Sequence, residues 1–250
     1  MIVVTGASGR TGRRVTEVLL AKGERVRVVG RDAKKLARLA GLGAEPCVGA
    51  LEDVSFLTAA FAGAAGAYLV LPEDLSQTDL CAHQERVSDC YSAAIANAQV
   101  RFAVNLSSIG AQHAKGTGPL VGLHNQEHKL DRVAGLNVLH LRAAYFMENL
   151  FMSMVPLRAT GTLTGGMLGD APMPWIATKD IGAYAATRLA ASDFSGSTIQ
   201  ELHGQRDISM NEAASIVGQG DRQARCYLRK SAEFGASRHA PDDGLASENR

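Results

Sequence analysis

MIVVTGASGRTG, residues 1 to 12, decides how the rest of the chain is read. Ile2–Thr5 is a short apolar run of strand character, and a 3.6-residue apolar spacing begins at Val15, Val18 and Leu19. Between them Gly6, Gly9 and Gly12 stand at G-x-x-G-x-x-G intervals. Each glycine has a physical task there: a tight turn out of the strand, close backbone approach to a pyrophosphate, and close packing of helix on strand. The unpaired N–H groups and positive dipole end of the helix then hold the phosphate charge. Ser8, Arg10 and Thr11 lie inside the same loop and join the three glycines as candidate cofactor-binding residues.

The rhythm set by this unit continues. Strands are expected at Ile2–Thr5, Arg25–Val29, Glu45–Val48, Ala67–Leu71, Arg101–Leu106 and Asn137–Leu141, with helical spacing between them, as at Val54, Leu57 and Phe61. Continuously apolar strands separated by helices predict an α/β fold with a doubly wound parallel sheet, whose ligands bind beyond the carboxyl ends of the strands. After residue 142 the rhythm breaks. Tyr145–Met154 reads as one short helix, followed by a Gly/Thr-rich stretch of loops and short strands. Thr178–Ala191 reads as an amphipathic helix with Thr178 as N-cap and Asp180 in its first turn, Ile199–His203 as a strand, and Ser209–Val217 as a helix capped by Ser209.

Other readings are bounded by composition. A net charge of +1, with no long Lys/Arg run, argues against a nucleic-acid surface. No uncharged apolar run reaches membrane-spanning length, and the N-terminus enters a strand directly, without a leader pattern. The four cysteines form no C-x-x-C pair, which fits a reduced, cytoplasmic protein.

The end of the second strand reports on the dinucleotide. A carboxylate there would hold a ribose 2′-hydroxyl; this chain has Gly30 and Arg31, with Asp32 one step later. Arg31 suits a 2′-phosphate, with Arg10 close enough to assist, so NADP(H) is favoured and Asp32 keeps NAD(H) open.

With these residues in place the chain resembles the NmrA-like group of atypical short-chain dehydrogenases, and within it the NAD(P)H:quinone reductase and triphenylmethane reductase type. The resemblance runs from residue 1 to about 218. It rests on the glycine loop, VRVVGRDAKKL, AFAGAAGAYLVLP, VNLSSIGA, HNQEHKL, LRAAYFMENL and IATKDIGAYAATRLA, in that order. It implies a Rossmann domain over 1–144, with 176–192 packing back onto it. A small C-terminal substrate lobe is implied from 145–175 and 193–218, whereas residues 219–250, with 11 of 32 charged and no sustained apolar period, read as an atypical, partly disordered tail outside the resemblance. It also implies cofactor contacts from Leu71 and Pro72 after the fourth strand, from Ser107, and from Lys129 to the nicotinamide ribose. Relatives usually carry an acidic residue after the third strand, where this chain has Ala50.

Conventional members use Tyr-x-x-x-Lys, and no tyrosine here has a lysine four residues on. Ser107, Lys129 and Tyr145 are therefore the catalytic candidates, Ser107 as a weak proton donor and Tyr145 also as a cofactor contact. Tyr145, Phe146, Met147, Asn149 and Trp175 are the candidate substrate wall, suited to a small, flat aromatic acceptor. The expected function is hydride transfer from NADPH to a quinone-like or other conjugated aromatic compound. The alternatives are a non-catalytic NADP(H)-sensing regulator, and a tailoring enzyme (an oxygenase included) acting on an aromatic polyketide. A homodimer through the late helices stays open.

His124-x-x-Glu127-His128 also has the spacing of an inverted zinc-protease helix. That reading needs a third ligand and a free Glu127, and the expectation is that no metal is bound.

Overall fold

The computed structural model describes residues 1–74, 76–154, 162–165, 167–220 and 227–230. Seven strands form one parallel sheet. They are β1 (Ile2–Val4), β2 (Val26–Gly30), β3 (Glu45–Val48), β4 (Gly66–Val70), β5 (Phe102–Ser108), β6 (Asn137–Ala143) and, returning late, β10 (Ser197–Leu202). Their spatial order is β10-β6-β5-β4-β1-β2-β3. The strand order reverses between β1 and β4, which opens a crevice at their carboxyl ends.

Both faces of the sheet are covered, which explains why β1 (IVV) and β4 (GAYLV) carry no charged or amide side chain. On one face Ile2, Val4, Val26, Val28 and Tyr68 pack against α1 (Arg10–Ala21), α2 (Ala33–Gly41) and α6 (Thr178–Ala191). On the other, Val3, Val29, Ala67 and Leu69 pack against α3 (Val54–Phe61) and α4 (Leu80–Ala98), with Leu130 of α5 (Leu120–Asp131). Pro46 falls in β3, an edge strand, where a missing N–H costs no ladder bond. Aspartates cap three of the helices: Asp32 accepts from Lys34 N, Asp53 from Phe56 N and Asp79 from Ala82 N.

The chain divides into two compact units, 1–149 with 174–207, and 150–173 with 208–250. Three features of the first differ from the sequence expectation. Residues 193–207 belong to it rather than to the lobe, because β10 hydrogen-bonds in parallel to β6 from Ser197↔Val138 to Leu202↔Ala143. Residues after Tyr145 form not one α-helix but a short strand β7 (Tyr145–Phe146), paired in parallel with Trp175 and Ile176 of β9 (Met173–Ile176), then a 3-10 helix (Met147–Ser153). Thr178 is the first residue of α6, and the helix is capped from a distance by Glu148. That carboxylate accepts from Thr178 N at 3.0 Å and from Thr178 Oγ1 at 2.7 Å.

In the second unit, β8 (Thr162–Gly165) pairs in parallel with β12 (Tyr227–Lys230). Ser209 caps α7 (Met210–Gly220), its Oγ accepting from Glu212 N at 3.1 Å. Asn211 ties this helix back to Gly169 O and the Asp170 carboxylate. The short strand β11 (Asp207–Ile208) leads into α7. Of the tail expected over 219–250, residues 221–226 and 231–250 lie outside the described residues.

Candidate active site

The glycine loop sits at the carboxyl end of β1. Gly6 adopts φ +59°, and a Cβ there would come within 3.1 Å of Val70 Cβ. A Cβ on Gly12 would fall 2.4 Å from Gly6 O, so only glycine lets the helix start this close to the turn. Gly9 N closes the loop on Gly6 O at 2.9 Å, and Gly9 is the N-cap of α1 with no side chain to offer. Unlike α2, α3 and α4, then, α1 begins with its first N–H groups uncapped by a side chain, and no acidic residue lies in its first turn. Ser8, Gly9 and Arg10 are exposed around this terminus, while Thr11 and Gly12 are buried beneath it.

The loop is anchored from below. Thr5 Oγ1 donates to Tyr68 O at 3.0 Å and accepts from Val70 N at 3.1 Å. The Tyr91 hydroxyl of α4 lies 3.0 Å from Thr5 Oγ1 and 2.9 Å from Val70 O. Burial pushes the Tyr91 hydroxyl well above its ordinary pKa, so it remains a donor.

At the end of β2 the exposed Arg31 donates through Nη1 to Asp74 Oδ2 at 3.0 Å. Asp32, the carboxylate nearest the place where a ribose 2′-hydroxyl would sit, caps α2 through Oδ1. Arg10 Nη1 donates to Glu148 O at 3.2 Å, so Glu148 serves both α1 and α6. After β3, just beyond Ala50, Glu52 accepts from Arg86 and pairs with His83, while Asp53 caps α3. Leu71 is buried and Pro72 half-buried just past β4.

Ser107 and Arg142 are register partners on β5 and β6. Between them Glu127 of α5 accepts from Ser107 Oγ at 2.5 Å and, in a fork, from Arg142 Nε at 3.1 Å and Nη2 at 2.7 Å. Burial works to raise the Glu127 carboxyl pKa; the bonds from Arg142 and Ser107 outweigh it and hold the group below its ordinary value. The Ser107 hydrogen is thereby committed to a carboxylate. Ser108 Oγ donates to Ile109 O. One step down the same strands, Asn105 donates to His140 Nδ1 at 3.0 Å, which leaves Nε2 to donate to Asp131 Oδ1 at 2.9 Å. Gln126 donates to Asn105 Oδ1 and accepts from Ser88.

Lys129 is not brought to this group. Its Nζ lies 2.6 Å from Glu85 Oε1 and 2.5 Å from Asp89 Oδ1, both on α4. The reason is helical phase: Lys129 stands about 200° round α5 from Glu127, which faces the sheet. His124 Nδ1 contacts Ala111 O at 2.8 Å, and its ring meets that of His128 edge-on at 4.3 Å. Glu127, the base a zinc-protease helix would require, is instead locked to Arg142.

Tyr145 and Phe146 are half-buried at the end of β6, and Met147 is 42% exposed. Burial raises the Tyr145 hydroxyl pKa, with a hydrogen bond to Asn149 opposing it. Trp175 differs from its expected place in the wall. It is 1% exposed and meets the Tyr145 ring edge-on at 4.9 Å, so it backs Tyr145 rather than facing a ligand. Arg142, Glu148 and Asp74 escaped the sequence reading, and Glu127 entered it only as the base of a zinc helix. Only Glu127 carried a signal, since with Leu123 and Leu130 it shares the sheet-facing stripe of α5.

The parallel sheet with its switch-point crevice, and a glycine loop opening an uncapped helix beside it, define a dinucleotide-binding type of α/β protein. The NmrA-like family model matches residues 1–224, and the chain belongs to that family. It is 29% identical over 196 residues to the (4-alkanoyl-5-oxo-2,5-dihydrofuran-3-yl)methyl phosphate reductase of Streptomyces griseus, a match spanning 78% of this chain and 65% of that protein. It is 27% identical to quinone oxidoreductase 2 of Escherichia coli, over 98% of this chain and 84% of the relative. A crystal structure of an NADPH-dependent quinone oxidoreductase of Escherichia coli, complexed with NADPH, superposes with a TM-score of 0.77 at 22% identity. It covers 92% of this chain and 78% of that one.

Proposed function

We propose that this chain is an NADPH-dependent reductase acting on a quinone-like or other conjugated aromatic acceptor. The observation that carries the reading is the pairing of an uncapped α1 behind Gly6–Gly12 with the exposed Arg31 at the end of β2, where Asp32 caps α2 through Oδ1. The residues present fit a phosphorylated dinucleotide. The loop amides suit the pyrophosphate, Arg31 the 2′-phosphate, and Leu71, Pro72 and Tyr145 the rest of the crevice. Relatives named as a reductase and as a quinone oxidoreductase agree with it.

When bound, NADPH supplies the hydride. The chain's own part is orientation and a limited supply of protons. Ser107 cannot readily act as an acid, because its hydrogen is donated to Glu127. Tyr145 keeps its proton, its pKa being raised by burial, and is the group we assign to touch the acceptor. Asn149 holds the phenol, and Phe146 and Met147 supply the apolar wall. An acceptor that takes hydride without strong acid help suits such a site.

The same commitment of Ser107, together with a Lys129 amine held by α4, also fits a dinucleotide-sensing protein without turnover. NADPH oxidation followed across a panel of quinones and conjugated dyes separates the two. Turnover is expected, with Tyr145→Phe lowering kcat by about a hundredfold while NADPH affinity holds. Tight NADPH binding with no acceptor consumed would leave the sensor.

A further inference from the structure

The ion pair between Arg31 and Asp74 joins residues from strands that are not neighbours. Arg31 directly follows β2, Asp74 lies just beyond β4, and β1 runs between them in the order β4-β1-β2. The 3.0 Å contact therefore crosses the carboxyl end of β1, over the point from which the glycine loop springs. It also engages one nitrogen, Nη1, of the guanidinium that the site offers to a 2′-phosphate.

The two partners are not held equally. Asp74 is fixed by its own turn: Oδ1 accepts from Ser76 N at 3.2 Å and from Ser76 Oγ at 2.5 Å, and the Asp74 side chain is only 14% exposed. The donors from Ser76 and Arg31 hold its carboxyl well below the usual range, so it stays an anion. Arg31, 68% exposed, has no comparable anchor among its described contacts. With its Arg31 side open to water, the pair is cheap to break. A phosphate, with more charge and three acceptor oxygens, outcompetes one carboxylate oxygen for the guanidinium.

We propose that Asp74 is a built-in competitor for the cofactor's 2′-phosphate. In the dinucleotide-free protein it holds Arg31 Nη1 above the carboxyl end of β1, and a phosphorylated dinucleotide takes Arg31 over. Asp74 thus tempers the affinity for NADPH and leaves that for NADH nearly unaffected. This rests on the NADP(H) reading above.

The test is calorimetric titration of the full chain and of Asp74→Asn with NADPH, NADH, 2′,5′-ADP and 5′-ADP, at low and high salt. Asp74→Asn is expected to tighten NADPH and 2′,5′-ADP by about two- to fivefold at low salt, with the gain shrinking at high salt and NADH and 5′-ADP nearly unchanged. Ser76→Ala, which loosens the carboxylate without removing its charge, is expected to move NADPH the same way by less. If the unmodified chain binds neither dinucleotide, the NADP(H) reading fails and this inference with it. If it binds NADPH but Asp74→Asn leaves that affinity unchanged, or weakens NADH, Asp74 is a bystander or a ribose ligand and this inference alone is overturned.

Discussion

At the scale of single residues, Glu148 has more consequence than its place in a 3-10 helix suggests. Its carboxylate caps α6 and its carbonyl receives Arg10, so one residue links the helix that carries the glycine loop to the helix packed across it. Gly182 completes the join: a Cβ there would lie 2.7 Å from Arg14 Cβ and 2.9 Å from Thr11 O. Glu148→Ala is expected to lower stability by about 1–2 kcal/mol in denaturant unfolding, with Glu148→Asp recovering part of it. Gly12→Ala is expected to do more harm, because its methyl would meet the Gly6 carbonyl. A shifted loop should cost dinucleotide binding in titration even where the fold survives. The glycine positions were legible in the sequence, since their spacing is local. Glu148 was not, because its partner is 30 residues away and nothing in YFMENL marks a cap for a later helix.

Among elements, the polar layer under α5 decides how that helix sits. Glu127, Gln126 and Asp131 face Ser107, Asn105, His140 and Arg142, where an apolar seam would be the ordinary solution. Every partner is satisfied in sequence, so cutting the chain at one link leaves several buried groups unpaired. His140→Leu is expected to destabilise by roughly 1–3 kcal/mol, read from the unfolding midpoint. Glu127 adds a pH dependence. Its folded-state pKa is lower than the ordinary 4.5, so its contribution is complete above that value and is lost as pH falls through the folded value. Glu127→Gln should therefore flatten part of the acid arm of the stability profile relative to the unmodified chain. The sequence made α5 visible as a helix but hid its phase. Lys129 was the conspicuous residue of HNQEHKL, yet its amine reaches Glu85 and Asp89 on α4, while Glu127 two positions earlier meets the strands. A motif names the spacing along a helix, not the direction it faces.

Over the whole chain, the first six strands were readable because each is a short run with a helix behind it, and all but the exposed edge strand β3 are largely buried in a parallel sheet. β10 was harder, since four of its six residues are exposed and its pattern is that of an edge. It was recognised as a strand but not as part of the main sheet. A saturating dinucleotide is expected to raise the unfolding temperature of the protein, with NADPH at a hundred times its Kd adding about 2.7 kcal/mol. NADH should raise it less at equal concentration.

The late arrival of α6 and β10 also bears on synthesis. β6 is complete at Ala143, yet the strand beside it ends at Leu202 and the helix that covers the α1 face comes just before it. A ribosome adding about 5–20 residues per second takes roughly 3–12 s over the interval, during which β6 is an open edge and Ile181, Ala185 and Leu189 have yet to cover the sheet. Chains halted on the ribosome with about 150 residues emerged are expected to be cut readily by protease, and those with about 210 emerged to resist. A nascent chain of this topology spends those seconds with its nucleotide loop already made and the wall behind it missing.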